Sequence, residues 1–180
     1  MHMKRETRRL VVYSTVFSIA SFGVAAAMSL SAGLFAVGGP VGVFLDPVIN
    51  LTVPLLLISI GFQVINSKGG PLLMGLISAA LFAVAFLPFL ALTNVVVGLA
   101  VEGSSRILGY RGMRAVVVNT ALAGGLEGIV SVLLGALFVG YLINATLALI
   151  FTVAYFAESS VIGIMSQSLG SYLLKSGVLK

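Results

Sequence analysis

Long apolar runs that are almost free of charge dominate this sequence. Its 180 residues include only ten basic and five acidic side chains, and 59% belong to the hydrophobic set. Soluble domains carry about 45–50% apolar and about 25% charged residues, so this chain has too few charges to cover a water-exposed surface. The mean hydropathy of +1.19 agrees with an outer surface that faces lipid. The composition therefore predicts an integral membrane protein and not a soluble enzyme.

Six apolar runs are candidate membrane spans. A transmembrane helix needs about 20 apolar residues at a rise of 1.5 Å per residue. The predicted spans are Leu10–Ser31, Pro47–Ile65, Pro71–Leu92, Asn94–Leu108, Ala115–Val139 and Leu142–Gln167. They indicate an all-α bundle of six transmembrane helices that forms a single membrane domain over residues 1–180. The first run is too long for a secretory signal and further spans follow it, so we expect it to be retained.

Turn and capping residues predict the connections between the spans. Residues Ala32–Asp46 are apolar and rich in glycine, and we expect this long loop after the first helix to fold over or into the protein. The pair Asp46-Pro47 suits an N-cap followed by the first helical position. Pro54 is expected to bend the second span. The polar pair Thr93-Asn94 predicts the turn between the third and fourth spans.

Basic residues fall on one side of the membrane when the six spans alternate in direction. With the N-terminus inside, cytoplasmic ends receive Lys4, Arg5, Arg8, Arg9, Lys68, Arg106, Arg111, Arg114, Lys175 and Lys180. An excess of Lys and Arg in cytoplasmic loops is the rule for membrane proteins. The pattern predicts a multi-pass plasma-membrane protein with both termini in the cytoplasm. It explains the net charge of +5 by orientation and by contact with anionic lipid, and not by binding to nucleic acid.

Several kinds of chemistry lack the residues that they need. The chain has no cysteine and a single histidine, His2, so it offers no thiolate metal site and no His-based catalytic triad. It has no Gly-x-x-x-x-Gly-Lys-Ser/Thr loop for a nucleotide. We therefore expect no enzyme activity, no metal and no cofactor, and we expect any ATPase to be a separate subunit.

Three glutamates within predicted spans are the main candidates for ligand binding. An ionisable group inside a membrane is costly, so it usually faces a cavity or a partner. Glu102 lies four residues before Arg106, so an ion pair on one helix face is an equally good interpretation. Glu158 is equally compatible with solvation near the inner surface. Glu127 has no basic neighbour on its helix and lies in the glycine-rich stretch Ala123–Gly128, which favours a binding role.

Three asparagines and two serines complete the set of candidate residues. Asn50, Asn94 and Asn144 lie at or near the outer ends of the second, fourth and sixth spans. They suit either contacts with a polar ligand or helix capping and interhelical hydrogen bonds. Ser14-x-x-x-Ser18 forms a small-residue ridge on the first span, and such a ridge packs closely against another helix of the same chain or of a partner.

In this layout the chain resembles the substrate-binding S components of energy-coupling factor (ECF) vitamin transporters. The resemblance rests on six N-in/C-in spans, on the loop Ala32–Asp46 after the first helix and on the stretch Asn94–Gly103 in the fourth. Ser14-x-x-x-Ser18 stands where the family often has Ala-x-x-x-Ala. The resemblance implies capture of a vitamin-like or precursor molecule from outside, among the fourth to sixth helices and under the first loop.

The same resemblance implies partners for this chain. These are a membrane-embedded coupling subunit, contacted through Ser14 and Ser18, and two ATPase subunits. The three intramembrane glutamates favour a cationic or amine-bearing ligand. Three alternatives stay open. The first is a small proton-coupled secondary transporter that uses Glu127 or Glu102 as the proton carrier. The second is a membrane-embedded enzyme acting on lipids, which is disfavoured because the sequence has neither clustered acids for a metal nor a His/Ser pair, and the third is a purely structural partner protein.

Overall fold

The computed structural model describes residues 5–31, 44–45, 47–48, 51–140 and 142–179. Within these ranges the protein is entirely helical and contains no strand. Its six helices are α1 (Arg5–Ser31), α2 (Val53–Ile65), α3 (Gly70–Val84), α4 (Pro88–Leu108), α5 (Met113–Val139) and α6 (Ala145–Lys175). The prediction of an all-α protein with six helices is confirmed.

Four of the helices are long and apolar enough to cross a membrane. They are α1, α4, α5 and α6. Helix α2 has 13 residues and α3 has 15. At 1.5 Å per residue these two helices are about 20 and 22 Å long, shorter than the roughly 30 Å hydrocarbon core of a bilayer. The chain is therefore helical and apolar in the manner of a membrane protein, and the six-span count stays a prediction.

The break between α3 and α4 lies at residues 85–87, and the predicted turn at Thr93-Asn94 is wrong. Helix α3 ends at Val84 because Pro88, four residues later, has no N–H to donate to its carbonyl. Pro88 instead occupies the first turn of α4, where no donor is needed. Inside α4, Thr93 Oγ1 donates to Phe89 O and Asn94 Nδ2 donates to Leu90 O, each at 2.9 Å. Both polar side chains are thus satisfied within a continuous helix.

The predicted second helix, Pro47–Ile65, is not continuous. Pro47 and Val48 are helical and Leu51 N donates to Pro47 O at 2.8 Å, but Leu51 and Thr52 form a turn. Helix α2 begins at Val53 and Pro54 lies in its first turn, so Pro54 starts the helix instead of bending it. Asp46, the predicted N-cap, lies outside the described residues.

Helix α6 continues to Lys175, well beyond the predicted end at Gln167. The extension stays packed, because Gly170 is buried against the side-chain amide of Gln63. Leu173 and Leu174 pack on the hydrophobic core in the same segment. Contact with α2 therefore keeps the last two turns helical.

The helices form a closed ring in the order α1, α3, α4, α5, α6, α2 and back to α1. Helix α2 lies toward the inside of this ring, because it also contacts α5 and α3. Nine of the 13 residues of α2 are buried. The core receives side chains from all six helices, including Phe17, Leu55, Met74, Val97, Ala123 and Tyr155.

One end of the bundle, which we call the basic end, carries the described basic residues. Helix α6 ends there, because Gly170 is buried against Gln63 near the end of α2. Helices α1, α3 and α5 begin there, and α2 and α4 end there, as three hydrogen bonds show. Arg9 Nη2 donates to Val64 O, Arg111 Nε donates to Gln63 O, and Gly69 N donates to Glu102 Oε1. The basic side chains that the structure describes at this end are Arg8, Arg9, Lys68, Arg106, Arg111, Arg114 and Lys175. The basic residues therefore cluster on one side of the bundle.

Candidate functional site

Glu127 is an acidic side chain on the buried face of α5. Its neighbours one turn away on each side, Ala123 and Ser131, are buried, as is Thr120 two turns away. Glu127 itself is only half-buried. It lies about 21 Å along the helix axis from Met113. Within the described part of the chain it takes part in no hydrogen bond or ion pair. Glu127 is thus a half-buried carboxyl group on the inner face of α5 without a hydrogen-bond partner among the described residues.

Three aromatic side chains pack together beside this part of α5, and we call them the aromatic group: Phe44, Phe151 and Tyr155. The rings of Phe44 and Phe151 are stacked with centroids 5.1 Å apart, and those of Phe151 and Tyr155 are 6.0 Å apart. The Tyr155 hydroxyl donates to Phe44 O at 2.7 Å. The Tyr155 ring covers Gly128, the residue after Glu127, so closely that no Cβ could be added there. The aromatic group therefore lies on the helix turn that carries Glu127.

Phe44 connects the aromatic group to the segment after α1. It belongs to the predicted loop Ala32–Asp46, of which the structure describes only Phe44 and Leu45. Phe44 is 1% exposed, because its ring is enclosed by side chains of α6. The carbonyl of Phe44 is held by Tyr155. The described end of the loop is therefore anchored on α6, through Tyr155, whose ring also covers Gly128 of α5.

Glu158 lies near the middle of α6, about 25 Å along the axis before Lys175. Its depth is similar to that of Glu127, because Gly124 and Gly125 on α5 pack against Ser159 and Phe156 on α6. It faces a different direction, since Val161, one turn later, is exposed. Glu158 is half-buried and forms no hydrogen bond or ion pair with another described residue. It borders the outer surface of the bundle, whereas Glu127 faces inward.

Glu102 lies at the basic end, far from Glu127. It is 4% exposed, and its Oε1 accepts hydrogen bonds from Arg106 Nε and from Gly69 N, both at 2.9 Å. Gly69 N belongs to the N-cap residue of α3, where a carboxylate is favoured by the helix dipole. The ion pair with Arg106 that the sequence offered is present. Glu102 therefore joins the start of α3 to the end of α4.

The three predicted asparagines are not gathered into one site. Asn94 bonds to its own helix through Leu90 O. Asn144 is the N-cap of α6, where its Oδ1 accepts from Leu147 N at 3.0 Å. Asn50 lies outside the described residues. The contact of Asn144 corresponds to the capping interpretation, whereas Asn94 makes an intrahelical bond that is neither a cap nor an interhelical contact.

Ser14 and Ser18 face the inside of the bundle. Both are fully buried, and Ser18 Oγ donates to Met74 O at 3.1 Å. The ridge therefore packs α1 against α3 of the same chain. The exposed face of α1 carries Val12, Val16 and Ile19 instead.

A buried chain of hydroxyl groups links α2, α5 and α6, and the sequence analysis did not anticipate it. Thr120 Oγ1 donates its hydrogen to Val116 O at 2.7 Å, so Ser59 must donate to Thr120, at 2.6 Å. Ser166 Oγ lies 2.5 Å from Ser59 Oγ and 3.3 Å from Gly163 O, either of which can accept its hydrogen, and Gln63 Nε2 donates to Ser166 O at 3.0 Å. Each hydroxyl hydrogen thus has an acceptor. This hydroxyl chain acts as an interhelical clamp that joins α2, α5 and α6 between Glu127 and the basic end.

Two arginines bind the C-terminal end of α2. Arg9 and Arg111 donate to the carbonyls of Val64 and Gln63 at 2.9 and 2.8 Å. These carbonyls have no partner later in the helix, and their partial negative charge attracts a cation. Partial burial, and then the nearby Arg9, lower the pKa of Arg111. Burial, and then the charge of Glu102, raise the pKa of the adjacent Tyr110. The basic end is consequently dense in polar contacts, although Arg9 Nε, Glu102 Oε2 and Tyr110 OH are buried there without a hydrogen-bond partner among the described residues.

Comparison with known proteins does not assign this arrangement to a family. No protein-family model, curated protein or solved structure matches the chain. In the part of the chain that the structure describes, no three His, Cys, Asp or Glu residues are grouped in a way that could hold a metal ion.

Proposed function

We propose that this protein is the substrate-binding S component of an ECF-type transporter. It would bind a small vitamin-like or precursor molecule at the outer side of the cell membrane and deliver it inward. The observation that carries the proposal is Glu127, an unpaired carboxyl group on the buried face of a membrane helix. Acidic groups at such positions commonly mark the path or binding site of a ligand.

The orientation that this function needs follows from the charges. Because the described basic residues cluster at one end of the bundle, we propose that this end faces the cytoplasm. Both termini would then be cytoplasmic, and all six helices would cross or enter the membrane. The end where α5 stops and α6 starts would face outward. The ligand would reach Glu127 from that end.

The chemistry around Glu127 favours a ligand with a positive charge or an amine. A carboxylate supplies the opposite charge to such a ligand. Phe44 and Tyr155 are buried, so of the aromatic group only the partly exposed ring of Phe151 is accessible for stacking or a cation–π contact. Glu158 lies at a similar depth on α6 but borders the outer surface of the bundle, so we do not include it in this site. We therefore propose a cationic or amine-bearing ring compound as the substrate.

The partners follow from the same proposal. The chain would bind a membrane-embedded coupling subunit that carries two ATPase subunits. Since Ser14 and Ser18 are buried against α3, we assign the contact on α1 to the exposed side chains of Val12, Val16 and Ile19. The serines would then support this face by holding α1 close to its neighbour.

Co-purification tests this proposal. The full chain would be expressed with its genomic neighbours, extracted in mild detergent and analysed by mass spectrometry for bound subunits and small molecules. We expect an ATPase pair, a polytopic coupling subunit and a stoichiometric small molecule. Recovery of the chain with neither subunits nor a ligand would contradict the proposal.

A second candidate function is a proton-coupled secondary transporter. The same observation favours it, because an unpaired carboxyl group inside the bundle can also carry a proton. Uptake by cells that lack the ATPase subunits separates the two functions. A proton-coupled carrier would retain uptake in those cells and lose it on addition of an uncoupler. An S component would lose uptake as soon as the ATPase subunits are absent.

A further inference from the structure

A shallow apolar groove runs along the outside of α5 and α6 near the basic end. Its volume is about 510 Å³, and its walls are formed by Met113, Val117, Val118 and Ile164 together with Arg114. The groove exists because Gly163 has no side chain and lets α6 approach the backbone of Val117, at 2.9 Å from the Cα to the position of an added Cβ. Ile164 and Val118 then stand on its two sides. This surface can receive a hydrocarbon chain.

Arg114 lies in the first turn of α5, at the end of the groove that is nearest the basic end of the bundle. Its side chain is exposed, and in the part of the chain that the structure describes it forms no ion pair or hydrogen bond. Other arginines at the basic end are already hydrogen-bonded, since Arg9 donates to Val64 O and Arg111 donates to Gln63 O. Arg114 is therefore a free guanidinium next to an apolar groove.

The start of α5 adds a second source of positive potential. The N-cap residue, Gly112, has no side chain with which to cap the helix. The first intrahelical bond runs from Val116 N to Gly112 O at 2.9 Å, so the N–H groups of the preceding three residues point out of the helix end. Free N–H groups at a helix start attract a phosphate. Arg114 and this helix start thus act on the same region.

We infer that the α5–α6 groove binds an anionic phospholipid. The phosphate would accept hydrogen bonds from Arg114 and the start of α5, and one acyl chain would lie along Val117, Val118 and Ile164. Guanidinium groups bind phosphate in a bidentate manner, and apolar burial of the chain gives the site its preference for a lipid over free phosphate. This inference does not depend on the transport function.

Native mass spectrometry of the full chain tests the site with two lipids that share the same acyl chains. Phosphatidylglycerol and phosphatidylcholine would be titrated against the wild type, Arg114→Gln and Lys175→Gln. Lys175 is an exposed cation at the same end of the bundle and so serves as a matched control. We expect one tightly retained phosphatidylglycerol, about tenfold weaker binding in Arg114→Gln, and little change in Lys175→Gln. Equal losses in the two variants would overturn the inference, because diffuse attraction weakens similarly for each cation removed.

Two further arms test the groove and the identity of the ligand. Val118→Trp would fill the groove, and its melting temperature in lipid-free detergent would show that it folds. We expect this variant to lose the retained lipid while keeping its melting temperature. A folded Val118→Trp that still binds phosphatidylglycerol like the wild type would contradict the site. Displacement of the lipid by millimolar inorganic phosphate would also contradict it, since the acyl chain would then add nothing.

Discussion

Glu102 and Glu127 lie on neighbouring helices and differ in almost everything around them. Glu102, at the basic end, accepts hydrogen bonds from Arg106 and from Gly69 N. Glu127, about 21 Å along α5 from the basic end, has no such partner among the described residues. A buried charge with hydrogen-bonded partners belongs to the scaffold. A carboxyl group inside a membrane bundle without partners needs another reason to be there, and a ligand supplies one.

The surroundings of the two glutamates extend this contrast. Around Glu102, the guanidiniums of Arg9 and Arg111 close the end of α2, and backbone groups of the turns take part in the bonding. Around Glu127, the described groups include the aromatic group and several glycines, and Phe44 is held on α6 by its hydrogen bond to Tyr155 and by stacking on Phe151. We infer that the basic end is the fixed part of the protein and that the region of Glu127 is the part that responds to a ligand.

The largest effect is expected from Gly75→Val, which would separate α3 from α4 in the basic half. A Cβ at Gly75 would lie 2.7 Å from Asn94 O and 2.9 Å from the Cα of Gly98, and neither backbone atom can move away by itself. We expect a loss of about 3 kcal/mol of stability, measured by reversible unfolding in mixed detergent and SDS micelles. Gly103→Val is the matched control on α4, since a Cβ there meets nothing within 4 Å. A similar loss in both variants would contradict the tight crossing.

The second prediction compares the stability of Glu102→Gln with that of Glu127→Gln. Replacing Glu102 removes the ion pair with Arg106 and weakens the bond to Gly69 N, so we expect a loss of about 1–3 kcal/mol. Replacing Glu127 removes no contact of the described structure, so the melting temperature of the ligand-free protein should not fall. The stabilities of both variants are measured by thermal unfolding in detergent. Destabilisation by Glu127→Gln alone would reverse the proposed roles.

A smaller effect is expected from Thr120→Val in the hydroxyl chain. The variant keeps the shape of the side chain and removes the acceptor for Ser59, so the clamp between α2 and α5 is lost. Interhelical bonds of this kind contribute about 0.6–1.7 kcal/mol in membranes. Thr152→Val serves as the control, because the Thr152 hydroxyl bonds only to Ala148 O of its own helix. Equal unfolding free energies for the two variants would argue against the clamp.

The smallest effect is expected from Asn144→Ala at the start of α6. Loss of the bond from Leu147 N to Asn144 Oδ1 should cost about 0.5–1 kcal/mol. Hydrogen exchange would show faster exchange confined to the first turn of α6, and Asn144→Ser should restore protection because serine also caps helices. Ligand affinity should stay unchanged in both variants. A selective loss of affinity in Asn144→Ala would return this residue to the binding site.

The sequence predicted the class and the number of helices because the hydropathy signal is local. Six apolar runs separated by turn residues became six helices, and their basic ends came together in the bundle. The break at Thr93-Asn94 was misplaced for a specific reason. Polar side chains in a membrane helix can bond to the preceding turn, as Thr93 and Asn94 do, whereas Pro88 cannot continue a helix.

Other features depend on packing between distant parts of the chain and could not be predicted from local patterns. The contact of Phe44 with Tyr155 joins residues 111 positions apart. The bond between Glu102 and Gly69 N needs the turn before α3 to lie against the end of α4. The ion pair of Glu102 with Arg106 was foreseen because it lies within one helix turn. The unpaired state of Glu127 was consistent with the absence of basic neighbours but needed the fold to reveal which face it occupies.

Ligand occupancy in Glu127→Gln tests the central claim most directly. The wild type and the variant would be purified in parallel from the same host, and the bound small molecule would be quantified by native mass spectrometry, with Glu102→Gln as the comparison. We predict that Glu127→Gln weakens binding of the recovered molecule at least about tenfold, while Glu102→Gln retains it in the folded fraction. Equal occupancy in the wild type and Glu127→Gln would contradict the claim that Glu127 binds the ligand.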